Sequence, residues 1–245
     1  MTRLRHEGDT ASLTRLVKAG DARAVSRLIT MLENREPEGL AVLQRLESPT
    51  TRATVIGMTG YPGAGKSTLI DHLATVYRQQ GKKVGIIAVD PSSPNTGGAI
   101  LGDRIRMQDH SCDTGVFIRS MATRGQHGGL ASATRDAVRV LEAAGYDVIL
   151  AETVGVGQDE VDVAAVAQTV VAVVAPGLGD EVQAMKAGLL EVAHIVVVNK
   201  GDREGADSTV RDLKEWIPTV IRTVAVKGDG IPELVEAIAA HQRNL

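Results

Sequence analysis

Between the β-branched burst TVIGM, Thr54 to Met58, and the helical run STLIDHLATVYRQQG, Ser67 to Gly81, stand Gly60-Tyr61-Pro62-Gly63-Ala64-Gly65-Lys66-Ser67. These eight residues fit G-x-x-x-x-G-K-[ST], and nothing else in the chain confines the fold so tightly. The motif works only where a strand runs into a loop and the loop into a helix. Glycines let the loop curl until its N–H groups face a phosphate chain, and the helix N-terminus adds an electrostatic preference for anions. Gly60, Gly63, Ala64, Gly65, Lys66, Ser67 and Thr68 are therefore the expected phosphate-binding residues. In this pattern Lys66 reaches the β and γ phosphates and the Ser67 hydroxyl ligates Mg²⁺. The competing reading, a chance glycine-rich turn, does not account for the strand before it and the helix after it.

Further bursts follow: KKVGIIAVD, GVFIRSM, YDVILAET, TVVAVVAP, HIVVVNK and TVIRTVAV, most of them separated by segments of helical length. Their apolarity is continuous rather than alternating, which implies strands covered on both faces. Strand–helix alternation then predicts an α/β fold, a doubly wound, mostly parallel sheet of the P-loop NTPase type. Aromatic residues make up only 2% of the chain, so the core is aliphatic. Residues 1–50 carry Leu, Val and Ile at helical spacing, which predicts an N-terminal helical extension of two or three helices, with the nucleotide domain over 51–245. A net charge of −3 with dispersed basic residues gives no support for a nucleic-acid or anionic-membrane partner. Cys112 is the lone cysteine, so no internal disulfide forms and a reducing cytoplasm is expected. Neither a signal peptide nor a membrane span is legible.

Asn199-Lys200-Gly201-Asp202 follows the burst HIVVV and fits N-K-x-D. A carboxylate at Asp202 can accept both the N1–H and the exocyclic amine of guanine, whereas adenine offers an unprotonated N1, so the polar match selects guanine. Glu152 closes the run VILA and is followed by Thr153-Val154-Gly155-Val156-Gly157-Gln158. A carboxylate after four apolar residues needs a partner or an ion. That places Glu152 near a Mg²⁺ shell and the Gly155 N–H near a γ-phosphate. Asp90 ends another burst, and Asp103 lies beyond the pliable Gly97-Gly98 pair, in a loop suited to order on nucleotide binding. Either aspartate could instead cap a helix.

Taken together, TGYPGAGKST, DPSSPNTGGAILGDRIRMQ, FIRSMATRGQHGGLA, YDVILAETVGVGQDE and NKGD resemble the MeaB/ArgK-type P-loop GTPases. These are G-protein chaperones of adenosylcobalamin-dependent acyl-CoA mutases such as methylmalonyl-CoA mutase. The resemblance runs from about Thr54 to Lys200 and continues more weakly through KGDGIPELVEAIAAH. It implies a Mg²⁺-dependent GTP hydrolase, with GTP as substrate and GDP as product, that gates cofactor loading and protection of the mutase. Lys66, Asp90, Asp103 and Glu152 then belong to the catalytic neighbourhood, and Ser67, Asp90, Asp103 and Glu152 to the metal. PGLGDEVQAMKAG is similar to the family's additional switch, in which Gln183 and Lys186 couple hydrolysis to the mutase. Ala225 matches the loop that contacts the guanine oxygen through backbone.

This chain departs from the family pattern at Val224, where Ser is usual, and at Asn95, commonly aromatic. It is also short between Asp202 and PTVIRTV, and a counterpart of the family's C-terminal dimerisation arm is not expected, which leaves a homodimer open. No D-x-H-x-x-G motif is present, so cobalamin is expected to belong to the partner, and no protein-kinase catalytic loop is visible. The alternative function is a GTP-dependent metallochaperone of nickel-enzyme maturation, which calls for a Cys- or His-rich site that the six scattered histidines do not compose.

Overall fold

The computed structural model describes residues 2–46, 52–90, 110, 112–122, 129–153, 165–177 and 189–245, with residues 2–8, 90, 122, 129–131 and 189 described by backbone alone. Three helices come first, α1 (Thr2–Lys18), α2 (Ala22–Glu33) and α3 (Pro37–Arg45). The Asp21 carboxylate caps α2 by accepting the Ala24 N–H at 2.7 Å, and Pro37 opens α3 where its missing N–H costs nothing. Then follow β1 (Thr54–Gly60), α4 (Lys66–Gln79), β2 (Val84–Asp90), β3 (Val116–Ala122), α5 (Gly129–Ala143), β4 (Val148–Thr153) and β5 (Thr169–Val174). The chain closes with α6 (Leu189–Val192), β6 (Ile195–Val198), α7 (Ala206–Lys214), β7 (Val220–Arg222) and α8 (Ile231–Arg243).

All seven strands join one sheet in the order β3-β2-β4-β1-β5-β6-β7, and every pairing is parallel. The expected α/β sheet is thus present, and each of the seven bursts contributes a strand. Only TVIRTVAV yields less strand than its apolarity suggests. Its strand stops at Arg222, and Ala225–Lys227 winds into a 3-10 turn.

Among the described residues, strand side chains fall into three aliphatic cores, one of which packs Val174, Val196 and Val198 with Leu190, Leu213 and Ile217. Val55, Ile87, Val89 and Ile149 face α5 together with α1, α2 and α3, whereas Ile56, Met58, Ile86, Leu150, Val171 and Val197 face α4 and α8. The helices that precede β1 therefore share a continuous core with the sheet. Arg119 of β3 reinforces this contact: its guanidinium pairs with Glu33 of α2 and donates to Thr30 Oγ1 at 3.1 Å.

Strands β2, β3 and β4 lie on one side of β1, and β5, β6 and β7 on the other. In an open α/β sheet, this reversal leaves a crevice at the C-terminal ends of the strands. The opposite edge carries a histidine pair instead. His194 accepts the Val170 N–H through Nδ1 at 2.9 Å, its ring lies 4.3 Å from that of His241 on α8, and His241 Nδ1 is 3.0 Å from Thr169 Oγ1. Burial, and secondarily the neighbouring His241, hold the His194 pKa below its ordinary 6.5. Among the described residues, no helix is long and apolar enough to cross a membrane.

Candidate functional site

At the C-terminal end of β1 the backbone turns sharply at Gly60, whose φ is +125°. A Cβ at Gly60 would stand 2.0 Å from the Val173 carbonyl oxygen, so β5 packs against bare backbone here. The loop ends at Gly65, which precedes α4 at φ +102° and where a Cβ would meet the Asn199 side-chain nitrogen at 2.2 Å. Glycine is therefore demanded twice by geometry, once against β5 and once against the N-K-x-D segment.

Within this loop Lys66 is buried, and its ammonium donates to the Gly60 carbonyl at 2.7 Å and the Tyr61 carbonyl at 3.1 Å. The next residue, Ser67, donates its hydroxyl to Glu152 Oε1 at 3.0 Å. Glu152 arrives there because β4 pairs with β1 in a register that sets it opposite Met58, and with β2 opposite Ala88. It is a buried carboxylate, as the sequence implied. Thr68 follows in the first turn of α4, and Gly63 lies on the loop at φ +78°. Asp90 ends β2 one pair beyond Val89 and Thr153, on the same edge of the sheet as Glu152. Asp103, Gly155, Gln183 and Lys186 lie outside the described residues.

The second half of the site is built around one buried amide. Asn199, just past β6, donates through Nδ2 to the Ala64 carbonyl of the phosphate loop at 2.8 Å. Its Oδ1 accepts the Thr223 hydroxyl at 3.1 Å and the Ala225 N–H at 3.0 Å. Beside it Lys200, held at φ +56°, sends its ammonium to the Gly63 carbonyl at 2.7 Å. Asp202 is half-exposed, and its carboxylate lies 3.6 Å from the Lys227 ammonium. Arg222 closes the turn from behind, donating to the Gly201 carbonyl and, at 2.8 Å, to Asp207.

The structure thus gathers Gly60, Gly63, Ala64, Gly65, Lys66, Ser67, Glu152, Asn199, Lys200, Asp202 and Ala225 about one crevice edge. Sequence reasoning missed Thr223 and Lys227, each two positions from Ala225. The Ala225 N–H, expected at the guanine oxygen, is held by Asn199 in this structure. A glycine-bent loop running into a helix N-terminus, a buried ammonium, a hydroxyl beside a carboxylate and a convergent amide are together suited to holding a polyphosphate and a base with a polar edge.

The comparisons agree with this chemistry. Residues 25–245 match the family described as methylmalonyl Co-A mutase-associated GTPase MeaB. A protein of Pyrococcus horikoshii named as a GTPase is 54% identical over 242 residues, covering 94% of this chain and 76% of its own. The GTPase ArgK of Escherichia coli is 37% identical over 251 residues, covering 95% and 76%. The mitochondrial methylmalonic aciduria type A homolog of Mus musculus is 39% identical over 204 residues, covering 78% of this chain and 49% of its own. Among solved structures, one described as an LAO/AO transport system kinase superposes with a TM-score of 0.74 at 29% identity, covering 97% of this chain and 76% of that one. A hydrogenase maturation factor HypB of Archaeoglobus fulgidus reaches a TM-score of 0.58 at 18% identity, covering 88% and 97%, a likeness of fold alone.

Proposed function

The chain belongs to the MeaB family of P-loop GTPases and hydrolyses GTP, and from that premise we propose that it serves an adenosylcobalamin-dependent acyl-CoA mutase as a chaperone, gating loading and protection of the mutase's cofactor. Two names carry the choice of client: the family's own description as mutase-associated, and the methylmalonic aciduria homolog among the relatives. The observation that carries the site assignment is the 2.8 Å hydrogen bond from Asn199 to Ala64, which fuses the base-reading segment and the phosphate loop into one pocket.

In this reading Lys66 leaves the Gly60 and Tyr61 carbonyls for the β and γ phosphates, where it neutralises charge that develops during transfer. The N-terminus of α4, with Ser67 and Thr68 in its first turn, faces the same anion. Asp202 accepts the guanine N1–H and amine, and Lys200 stays braced on Gly63 beside the base. Asp103, Gln183 and Lys186 keep the roles that the family resemblance implies, and Gly155 the place near the γ-phosphate read from its position after Glu152. Mg²⁺ fits the donors present: Ser67 Oγ and Glu152 Oε1, hard oxygens 3.0 Å apart at the crevice edge, are of the kind that ion takes while retaining phosphate and water ligands. When bound there, it supplies charge stabilisation to the phosphates. Cobalamin stays with the mutase, and the lone Cys112 suits a reducing cytoplasm.

The test is a steady-state GTPase assay with and without the adenosylcobalamin mutase of the same cell, using wild type, Lys66→Ala and the coupling variants Gln183→Ala and Lys186→Ala. Lys66→Ala should abolish turnover. The wild type should be slow alone and faster with the mutase, because positioning and charge stabilisation carry most of phosphoryl transfer. The two coupling variants should keep basal hydrolysis and lose the stimulation. A wild type that no such mutase stimulates sinks the chaperone reading.

A further inference from the structure

Beside Glu152, but on the other face of the sheet, two hydroxyls are buried side by side. Thr59 of β1 and Thr153 of β4 are 0% and 1% exposed, and among the described residues neither side-chain oxygen has a hydrogen-bond partner. The β1–β4 ladder runs from Thr54 and Val148 to Met58 and Glu152, so the next residues along, Thr59 and Thr153, stand across from one another. Side chains alternate along a strand, so both point away from α4, to which Met58 and Glu152 turn. Their neighbours in the same row cannot satisfy them: Val89 lies opposite Thr153 on β2, and Ala172 opposite Thr59 on β5. Valine has the same shape as threonine and would fill either place without the penalty of a buried, unpaired hydroxyl. Two such penalties next to each other call for a polar group between them.

Backbone pairing parts at the same point. Past Met58 and Glu152, β1 stays in register with β5 as far as Gly60, and β4 stays in register with β2 as far as Thr153, but the pairing of β1 with β4 has ended. The two halves of the sheet separate here into the crevice. With strands about 4.8 Å apart, one water between the hydroxyls reaches both within hydrogen-bonding distance, and the two hydroxyls supply the polar partners that a buried water requires.

We propose that Thr59 and Thr153 hold a buried water that stitches the end of β4 to the end of β1, and that through it they position Glu152 for the Mg²⁺ of the nucleotide. Their places in the chain give them that leverage. Thr59 precedes Gly60, whose carbonyl accepts the Lys66 ammonium, and Thr153 follows Glu152, whose carboxylate accepts the Ser67 hydroxyl. Ser67 steadies the carboxylate from one face of the sheet, and the water steadies its strand end from the other. The proposal rests on the reading of Glu152 as a neighbour of Mg²⁺ given above.

The experiment uses the full chain as wild type, Thr59→Val, Thr153→Val, the double variant, Thr59→Ser and Thr153→Ser. A crystal structure of the wild-type GDP complex should show one ordered water within hydrogen-bonding distance of both hydroxyls, and the double variant should show none there. Melting temperatures without nucleotide or metal should fall by about 2–4 °C in either valine variant, because each leaves the other hydroxyl short of a partner, and the double variant should fall no further than the singles. Positioning is read from the factor by which Mg²⁺ tightens binding of a non-hydrolysable GTP analogue. That factor should drop about three- to tenfold in each valine variant, with metal-free binding unchanged, and stay within about twofold of wild type in both serine variants. A merely structural role would lower the melting temperature and leave the Mg²⁺ factor alone. Orphaned hydroxyls would give the opposite sign, with melting temperatures that rise additively as each valine is introduced. Either of those results, a crystal structure without the water, or serine variants as weak as the valine ones overturns the proposal. A wild type whose analogue binding ignores Mg²⁺, or a Glu152→Gln variant that keeps the full factor, overturns the Mg²⁺ reading and this proposal with it. A factor lost in Glu152→Gln but kept in Thr59→Val and Thr153→Val overturns this proposal alone.

Discussion

At the phosphate half of the site, Gly60, Gly63 and Gly65 carry the geometry in the main chain; at the base half, Asn199, Thr223 and Asp202 carry it in side chains. The first arrangement is set by positive φ angles and by the approach of β5 to bare backbone at Gly60. The second is set by one amide with three partners, joining residues from segments far apart in sequence. A backbone-built half is rigid and intolerant of a carbon added where another segment packs against it, as at Gly60 and Gly65. A side-chain half can be tuned by single atoms, so binding of phosphate and choice of base can change independently.

Gly60→Ala should show the largest effect, because it combines a left-handed φ with a Cβ 2.0 Å from the Val173 carbonyl. A loss of about 3 kcal/mol or more of stability is expected in denaturant unfolding, with no measurable nucleotide binding. Gly63→Ala provides the contrast within the same loop: no atom lies within 4 Å of its Cβ, so only the backbone strain of about 1 kcal/mol should appear. Equal losses at the two glycines would break the account of the phosphate half as a packed backbone.

Asp202→Asn comes next. Replacing a charged acceptor by an amide should weaken GDP by about tenfold to a hundredfold and improve xanthosine diphosphate, whose carbonyl stands where guanine has its amine. The phosphate loop should be indifferent, so the loss of affinity should be the same for the di- and triphosphates. A larger loss for one of them would mean that the two halves are not separable in this way.

Lys227→Met sharpens the base half at a finer scale. Its ammonium stands 3.6 Å from Asp202 with both side chains roughly half-exposed, so the ion pair is weak, and removing it should free the carboxylate for guanine. GDP should bind about two- to fivefold more tightly at low salt and no differently at high salt, as titration at two ionic strengths will read. Weaker binding at both ionic strengths would mean that Lys227 supports the base rather than competing with it.

The smallest effect belongs to neither half. His194→Asn, at the opposite edge of the sheet, keeps an acceptor for the Val170 N–H but does not titrate. Since burial holds the His194 pKa below 6.5, the unfolded chain takes up a proton more readily than the folded one. Stability is therefore complete above the unfolded value and declines as pH falls from there through the lower folded value. The variant should show a shallower decline in melting temperature between about pH 7 and pH 5, with GDP binding unchanged. An identical slope would remove His194 from the acid response.

Much of the phosphate half was legible because its signals are local. Continuous apolarity located every strand, and the glycines, Lys66 and Ser67 sit within eight consecutive residues whose flanks declare strand and helix. Glu152 could be found for a related reason, being a charge at the end of a buried run. Thr223 and Lys227 carry no such mark. A threonine beside valines reads as one more β-branched strand residue, and what makes it distinctive is the amide that β6 delivers from more than twenty positions away. The Arg119–Glu33 contact between β3 and α2 was hidden for the same reason, since each partner alone looks like an ordinary surface charge. The expected roles of Asp103, Gly155, Gln183 and Lys186 fall on residues outside those described, and Asp90 is placed by its backbone only.

The position of β1 in the sheet also bears on how the protein comes off the ribosome. Among the described strands it is the first in the chain, yet its neighbours are β4 and β5, so Thr54 waits for Val148 and Gly60 for Val173. Such distant pairings must meet the entropy of closing a long loop before any bond rewards them, which makes assembly slow and leaves a strand apolar on both faces without neighbours on either side. The helices α1, α2 and α3 emerge earlier still and pack on the face that carries Val55. During synthesis these helices are apolar cover already available to β1, suited to shielding the nascent strand until the centre of the sheet arrives.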